Sequence, residues 1–243
     1  WMTGVWTTDD TYNQDDLGIS RWYNNQSVFA NISYEIFNPI KYFNQLKIKL
    51  GLRHGRRYRP SVKRNNNYEL ELFFETKKLY KHRFEVEYTT INKDYFESRV
   101  EGLFVLKPEL VGFRYDFDTN NTKDLVFSAE IDGQRSMDEY YEEKNHKIGS
   151  NVGVEYKVSD RVNLSTGLGI SFEKDDLGYA GSENQQVIIG LRDVKVNQAM
   201  LEMNYNINSY KGFALEIRNY WSSVNYKNYY SLQENGLGVI VND

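Results

Sequence analysis

Carboxylates are numerous in this sequence, and their spacing decides whether they could do acid–base chemistry. Glu69, Glu71 and Glu75 lie on one predicted strand, and Glu85 and Glu87 lie on the next. A glycosidase needs two carboxylates about 5–10 Å apart in different environments. The polar face of any strand pair supplies such distances, and cross-strand pairing of Glu with Lys or Arg is the ordinary explanation. We therefore predict no catalytic residues and no enzyme activity.

The three histidines do not have the spacing of a metal site. His54, His82 and His146 lie in different loops or strand ends, with no His-x-x-x-His pattern, and cysteine is absent. The Asp pairs at 15–16 and 175–176 offer oxygens suited to Ca²⁺, but neither has the spacing of an EF-hand. Acidic turns explain these pairs better. We expect no metal ion and no cofactor.

One short segment carries the densest positive charge of the chain. Its basic cluster consists of Arg56, Arg57, Arg59, Lys63 and Arg64, preceded by His54 and interleaved with Tyr58. The planar guanidinium of arginine suits phosphate or carboxylate oxygens. Three interpretations stay open: a solvated loop, which is the default, a site for lipopolysaccharide phosphates, and a site for an anionic saccharide. We take the cluster as the candidate binding site for anionic lipid or glycan.

The elements that position these residues are strands, because polarity alternates with a period of two. Leu46, Ile48, Leu50 and Leu52 alternate with Lys47, Lys49, Gly51 and Arg53. Successive side chains of an extended chain point to opposite faces of a sheet, so one face is apolar and the other charged. The predicted strands cover 17–24, 27–37, 44–56, 67–76, 81–90, 97–106, 110–117, 124–133, 146–158, 161–173, 186–193, 197–208, 213–222 and 227–232.

The connections between these strands divide into short turns and longer polar loops. Short turns are predicted at 38–41, 159–160 and 208–212, and longer loops at 57–66, 134–145 and 174–185. Residues 135–146 could form a short helix, but their acidic run favours a solvated loop. Short turns at one end and long loops at the other are typical of an outer-membrane β-barrel.

Strand length and composition favour a membrane barrel over a soluble sheet. Many predicted strands reach about ten residues, against about five or six in soluble sheets. The chain has 20 Tyr and 13 Phe, and its 3 Pro all lie in predicted connections. We expect one group of side chains to face lipid, namely Leu164, Leu168, Ile170, Leu201, Met203 and Tyr205. The group expected to face the lumen is Asn163, Ser165, Glu202 and Asn204.

Residues 9–40 carry a more specific pattern. Asp10-Thr-Tyr-Asn-Gln-Asp-Asp-Leu-Gly18 is followed by Asn24-Asn25, Tyr34 and Pro39. This pattern resembles a Bacteroidota outer-membrane β-barrel domain of unknown function, which usually follows a carbohydrate-binding family-9-like domain. Segments 117–123 and 229–236 echo the same family. The resemblance implies a role in carbohydrate binding or handling at the cell surface, and it brings no catalytic residues.

The sequence therefore predicts an all-β fold, an antiparallel transmembrane outer-membrane β-barrel, with residues 1–243 as a single barrel domain truncated at both ends. The function expected is an anchor or solute conduit in the bacterial outer membrane. The alternatives are a soluble all-β carbohydrate-active enzyme and a plugged structural scaffold. Expected partners are outer-membrane lipid and lipopolysaccharide, carbohydrate, and other outer-membrane or lipoprotein subunits. The net charge of −4 gives no reason to expect nucleic acid.

Overall fold

Strands of alternating polarity pair with their sequence neighbours along most of the chain. The computed structural model describes residues 1–11, 23–137, 144–183 and 186–241, and no residue in these ranges is helical. The strands are β1 Met2–Thr8, β2 Asn25–Ile36, β3 Phe43–Arg57, β4 Lys63–Thr76, β5 Lys81–Thr89, β6 Asn92–Asp94, β7 Val105–Lys107, β8 Leu110–Asp118, β9 Leu125–Ser136, β10 His146–Ser159, β11 Val162–Glu183, β12 Gln186–Asn208, β13 Lys211–Leu232 and β14 Gly238–Ile240.

Twelve of these strands form one antiparallel sheet in chain order. The sheet runs from β1 to β5 and continues from β8 to β14, while β6 and β7 pair only with each other. The all-β, antiparallel class is therefore confirmed. Among the described residues, no ladder joins β1 to β13 or β14, so the sheet is open and no closed barrel is found. No helix in the described ranges is long and apolar enough to cross a membrane.

Several predicted strands are confirmed with small changes at their ends. The predictions 27–37, 44–56, 67–76, 81–90, 110–117, 124–133 and 146–158 correspond to β2, β3, β4, β5, β8, β9 and β10. The predicted loop at 57–66 is shorter, because β3 ends at Arg57 and β4 begins at Lys63. The predicted strand 17–24 lies mostly outside the described residues. So do residues 138–143 of the predicted loop 134–145.

The predicted strand 97–106 is wrong over most of its length. Residues 95–102 form turns, and only Val105–Lys107 is extended and paired. Arg99 and Gly102 have φ values of 59° and 81°, a left-handed conformation that ends a strand. The apolar residues Phe96, Val100 and Phe104 repeat at even spacing within this segment, which is why it resembles a strand in sequence.

The predicted loop 174–185 is also wrong, because β11 continues to Glu183. The pairing of β11 with β12 shifts between Glu173 and Asp176, where Asp175 has a φ of 58°. Such a β-bulge adds a residue to one strand and interrupts the alternation without ending the strand. In the same way, predictions 186–193 and 197–208 are one strand, β12, and predictions 213–222 and 227–232 are one strand, β13. β1 was not predicted.

A small apolar core lies where β11, β12 and β13 extend beyond the other strands. Its buried members are Val105, Leu177, Val187, Ile189, Leu191, Tyr230 and Leu232, with Leu103 and Tyr179 packed against them. Residues 90–109, here called the crossing segment, contribute Leu103 and Val105. The conventional core of the described chain is thus at one end of the sheet.

Over much of the rest of the sheet, exposure is the reverse of the usual order, whereas most of β13 is exposed on both faces. Leu50, Leu168 and Ile217 are 53%, 59% and 53% exposed. On the opposite face, the side chains of Glu69 and Glu71 are only 24% and 13% exposed. A sheet in water normally buries its apolar face and exposes its polar face. The apolar face therefore lies open among the described residues.

The register agrees with the predicted division of the two faces on β11 and β12. Leu164 pairs with Met203, whereas Ser165 pairs with Glu202. Directly paired residues point to the same side, and neighbours along a strand point to opposite sides. The two predicted groups therefore lie on opposite faces, and lipid contact stays a prediction.

Gly169 allows a hydrogen bond to cross an entire strand on the charged face. Asn151 of β10 and Gln198 of β12 both pair with Gly169 of β11. The Gln198 side-chain amide donates to Asn151 Oδ1 over 3.1 Å, above the bare glycine. A Cβ at position 169 would collide with both side chains. A Cβ on Gly167, two positions away, would be near only one atom, the Val152 carbonyl oxygen at 3.8 Å.

We expect Gly169→Ala to lower the free energy of unfolding by about 1–3 kcal/mol, because a methyl group would be forced into an occupied space. Gly167→Ala is the matched control and should be neutral or stabilising by up to about 1 kcal/mol. Urea unfolding in detergent would measure both. Equal effects of the two substitutions would contradict the crossing hydrogen bond.

Candidate functional site

The charged face is a candidate site because its side chains form rows that cross several strands. One row contains Lys49 of β3, Glu71 of β4, Glu85 of β5 and Arg114 of β8. Lys49 Nζ lies 2.5 Å from Glu69 Oε1 and 3.8 Å from Glu71 Oε2. Glu69, Glu71 and Glu85 place oxygens within 4.8 Å of one another, and a lysine already supplies the cation beside them. The predicted cross-strand pairing with Lys or Arg is seen for Glu69 and Glu71.

The rows continue toward the opposite end of the sheet through β8, β9 and β10. Arg114 is bonded to Asp116 at 3.1 Å and to Glu130. Glu130 in turn accepts a hydrogen bond from Asn151 Nδ2 over 3.1 Å. Because Asn151 also accepts from Gln198, one network runs from β8 to β12 on this face. Cations and carboxylates alternate in it, so much of its charge is paired locally.

The crossing segment touches strands that are far apart in the sheet. Tyr95 stacks under the Arg57 guanidinium of β3, with Cζ 4.6 Å from the ring centroid. Glu97 Oε1 lies 3.7 Å from Arg192 Nη2 of β12 and accepts the Tyr179 N–H of β11 over 2.8 Å. In a flat sheet, β3 and β12 would be seven strand spacings apart, about 34 Å.

Residues 95 to 97 supply at most about 7 Å of backbone, so in a flat sheet all four contacting side chains would have to extend fully and in line to cover the rest. The sheet must therefore curve strongly around the crossing segment. Leu106 N–H donates to Gly236 O over 2.8 Å, which adds the β13–β14 connection to the same assembly. The crossing segment links both sides of the curved sheet.

An ionic chain fixes the crossing segment to β11 and β12. Lys107 Nζ lies 3.7 Å from both Asp94 and Asp176, and Arg192 Nη2 lies 2.8 Å from Asp176 Oδ2. Burial alone would lower the pKa of Lys107, but Asp176, Asp94 and Glu97 raise it above its usual value. Lys107 therefore stays charged and holds the crossing segment to β11.

The structure divides the predicted basic cluster into two groups. Arg57 and Arg64 are turned toward the crossing segment and the start of β2, where Arg64 donates to Asn25 Oδ1 over 2.9 Å. Arg56 donates to Gln26 Oε1 over 2.6 Å. Arg59 remains 68% exposed, and Lys63 is exposed as well. No single surface therefore presents all five cations, and their binding to lipid or glycan stays a prediction.

The other residues singled out in the sequence have ordinary polar partners. The histidines are separate: His54 contacts Asn66, His82 contacts Tyr115, and His146 contacts the Lys144 carbonyl. Asp175 is 2.5 Å from Lys227, and Asp176 pairs with Arg192. Asp15 and Asp16 lie outside the described residues. The crossing segment was missed as a functional element, although Asp94, Glu97 and Lys107 place charged residues at and just beyond the ends of the predicted strand 97–106.

Comparison with known proteins places the chain in a family. A family model described as a domain of unknown function, DUF5916, matches residues 1–242. The chain belongs to the DUF5916 family. No curated protein and no solved structure matches it. The family match covers nearly the whole chain and supports an uncharacterised domain family as the sequence resemblance implied.

In this DUF5916 domain, Glu173 is a carboxylate whose pKa is raised by its site. Burial raises the pKa of Glu173, and the neighbouring charge of Asp176 adds to the effect, against a hydrogen bond from Asn145. The folded state then holds the proton more tightly than the unfolded chain does. Stability from this group is therefore present at low pH and is lost as the pH rises from the usual glutamate range through the folded-state pKa.

We expect Glu173→Gln to remove this loss, because the amide keeps the acceptor for Asn145 and carries no charge to desolvate. The variant should gain stability over the parent chain as the pH rises above about 4.5, measured by thermal unfolding across a pH series. Glu234→Gln, at an exposed position, is the control. A Glu173 variant that follows the parent curve at every pH would refute the assignment.

Proposed function

We propose that this DUF5916 chain forms part of the wall of an outer-membrane β-barrel, acting as an anchor or a solute conduit for a surface protein that binds or handles carbohydrate. The observation that carries the proposal is the reversed exposure of the two sheet faces. Apolar side chains such as Leu50 and Leu168 lie open, while charged ones such as Glu71 are largely covered. Lipid contact is the environment in which this arrangement is favourable.

The curvature of the sheet supports a barrel wall rather than a flat layer. Contacts of Tyr95 with β3 and of Glu97 with β12 require the sheet to bend around the crossing segment. Closing such a sheet would satisfy the backbone groups at the β1 and β13 edges, as a bilayer requires. The proposed location is the bacterial outer membrane, with outer-membrane lipid as the main partner.

The carbohydrate role and the Bacteroidota origin rest on the sequence resemblance at residues 9–40. In that family, the barrel usually follows a carbohydrate-binding family-9-like domain, and the barrel would hold that domain at the cell surface. The proposal assigns this chain no catalytic step, because two of the candidate carboxylates, Glu69 and Glu71, pair with Lys49 across strands. Carbohydrate and neighbouring outer-membrane or lipoprotein subunits are proposed partners.

A plugged scaffold is the second candidate function, and the crossing segment favours it. Residues 90–109 contact both β3 and β12 and contribute Val105 to the buried core. A segment in this position would narrow or block an enclosed lumen. The soluble carbohydrate-active enzyme is less well supported, because a sandwich would need a second layer over the apolar face.

Arginine substitutions on the two faces test the membrane proposal. Leu168→Arg should cost about 2–4 kcal/mol of folding free energy in bilayers, because the charge would enter the apolar part of the lipid. Ser165→Arg on the charged face is the matched variant and should be far milder. Folding into lipid vesicles, followed by urea titration, measures both values. Equal costs at the two positions, or a parent chain that stays soluble without detergent, would defeat the proposal.

The exposed part of the basic cluster is proposed to attract phosphate groups of lipopolysaccharide at the rim. We expect the double variant Arg59→Gln, Lys63→Gln to bind lipopolysaccharide about threefold to tenfold more weakly than the parent chain. Added salt should weaken the binding of the variant less than it weakens the binding of the parent. The matched control is Lys77→Gln, Lys78→Gln, which removes two exposed cations just past the opposite end of β4. Equal binding by the two double variants would show that Arg59 and Lys63 have no specific role in binding and belong to a solvated loop.

A further inference from the structure

Two arginines of the basic cluster lie together where the crossing segment meets β3 and β4. Arg57 is only 7% exposed, and its guanidinium stacks on the Tyr95 ring. Arg64 uses Nη1 to donate to Asn25 Oδ1, but its buried Nε–H has no hydrogen-bond partner. Among the described residues, no carboxylate oxygen lies within 4 Å of a side-chain nitrogen of either arginine. Buried guanidinium groups seldom lack such a partner, because leaving a charge unpaired away from water is costly.

The nearest carboxylate already has other partners. Asp94 Oδ1 accepts the backbone N–H groups of Phe96 and Glu97 over 3.0 and 3.1 Å. Its second oxygen lies 3.7 Å from Lys107 Nζ. Burial lowers the pKa of Arg64, and the like charge of Arg57 acts in the same direction against the attraction of Asp94. Within the described ranges, no carboxylate is therefore left to pair with the two arginines.

A small cavity lies beside these two guanidinium groups. It has a volume of about 20 Å³ and is lined by Asn24, Arg57, Arg64, Tyr95 and Gly102, among others. About 10–15 Å³ measured in this way holds one water molecule, so the space suits one atom of that size or slightly larger. Phosphate or sulfate, with four oxygens around a central atom, exceeds this volume and would extend out of the cavity.

We propose that this cavity binds one small monovalent anion of halide size, with chloride as the physiological ion, bridging Arg57 and Arg64. The Arg64 Nε–H and the Arg57 guanidinium supply charged donors, which bind anions more strongly than neutral donors do. The anion fixes the crossing segment to β3 and β4 through Arg57 and Tyr95. It also gives these two arginines a role distinct from that of the exposed Arg59 and Lys63.

The site does not depend on the membrane proposal, since it is built only from contacts between the crossing segment and the sheet. A water molecule in the same cavity would satisfy the Arg64 Nε–H but would not neutralise the charge. The two occupants therefore differ in their response to the identity of the salt, and that difference is measurable.

The test compares thermal unfolding of the full chain in detergent in sodium chloride and in sodium gluconate at equal ionic strength. Chloride should raise the Tm by about 2–4 °C in a saturable manner, because an anion that binds only the folded state stabilises it by mass action. Gluconate, which is too large for the cavity, should have no such effect. An equal Tm in the two salts would overturn the proposal.

Variants assign the effect to the site. Arg64→Gln should abolish the chloride dependence, while Arg83→Gln, at a 48% exposed arginine of β5, should retain it. A chloride dependence that is the same in both variants would overturn the site. Phosphate could instead stabilise the parent chain at lower concentrations than chloride does, and this stabilisation could be absent in Arg64→Gln. That result would overturn the halide assignment in favour of a polyatomic anion.

Anomalous diffraction gives a measurement that does not depend on a variant that folds. Crystals of the parent chain grown or soaked in sodium bromide should show an anomalous peak between the Arg57 and Arg64 guanidinium groups. Bromide replaces chloride with nearly the same chemistry and is distinguishable from water by its scattering. A well-ordered site with no anomalous peak would show that water occupies it, and the proposal would be wrong.

Discussion

A charged sheet face that curves inward must satisfy its own charges, and the rest of this structure depends on that requirement. Lys49 lies against Glu69 and Glu71, and Arg114 lies against Asp116 and Glu130. Removing one member of a half-covered pair leaves its partner unpaired, which costs more than the pair contributes. The rows across β3, β4, β5 and β8 are therefore coupled, and a single charge cannot change without effects on neighbouring strands.

The crossing segment extends this constraint from pairs of neighbouring strands to the whole sheet. Asp176 is bonded to Arg192 and lies near Lys107, so the carboxylate serves both the β11–β12 ladder and the crossing segment. On the other side, Tyr95 supports Arg57. Curvature of the sheet and placement of the crossing segment thus depend on each other, since a flat sheet would hold the two sets of contacts too far apart for one short segment to make both.

Alternating polarity was sufficient to predict the central strands, because the side chains of an extended chain obey it directly. β3 and β4 were predicted closely for this reason. The failures occur where another interaction overrides the pattern. At Asp175 a bulge interrupts the alternation within a continuous strand, and at Arg99 and Gly102 left-handed backbone turns prevent a strand despite regular apolar spacing. Neither the bulge nor the turns produce a periodic pattern of polar and apolar residues from which they could be predicted.

The candidate site was predictable in its residue types and not in its arrangement. Alternation alone separates Arg56 from Arg57, because neighbours on a strand point to opposite faces. What covers Arg57 is Tyr95, which is distant in sequence and belongs to a segment without strand pairing to β3. Five cations within nine residues therefore have two electrostatic environments. Arg59 and Lys63 are exposed, so their interactions with molecules at the surface are screened by salt. Arg57 and Arg64 instead face the crossing segment, where burial makes an unpaired charge costly.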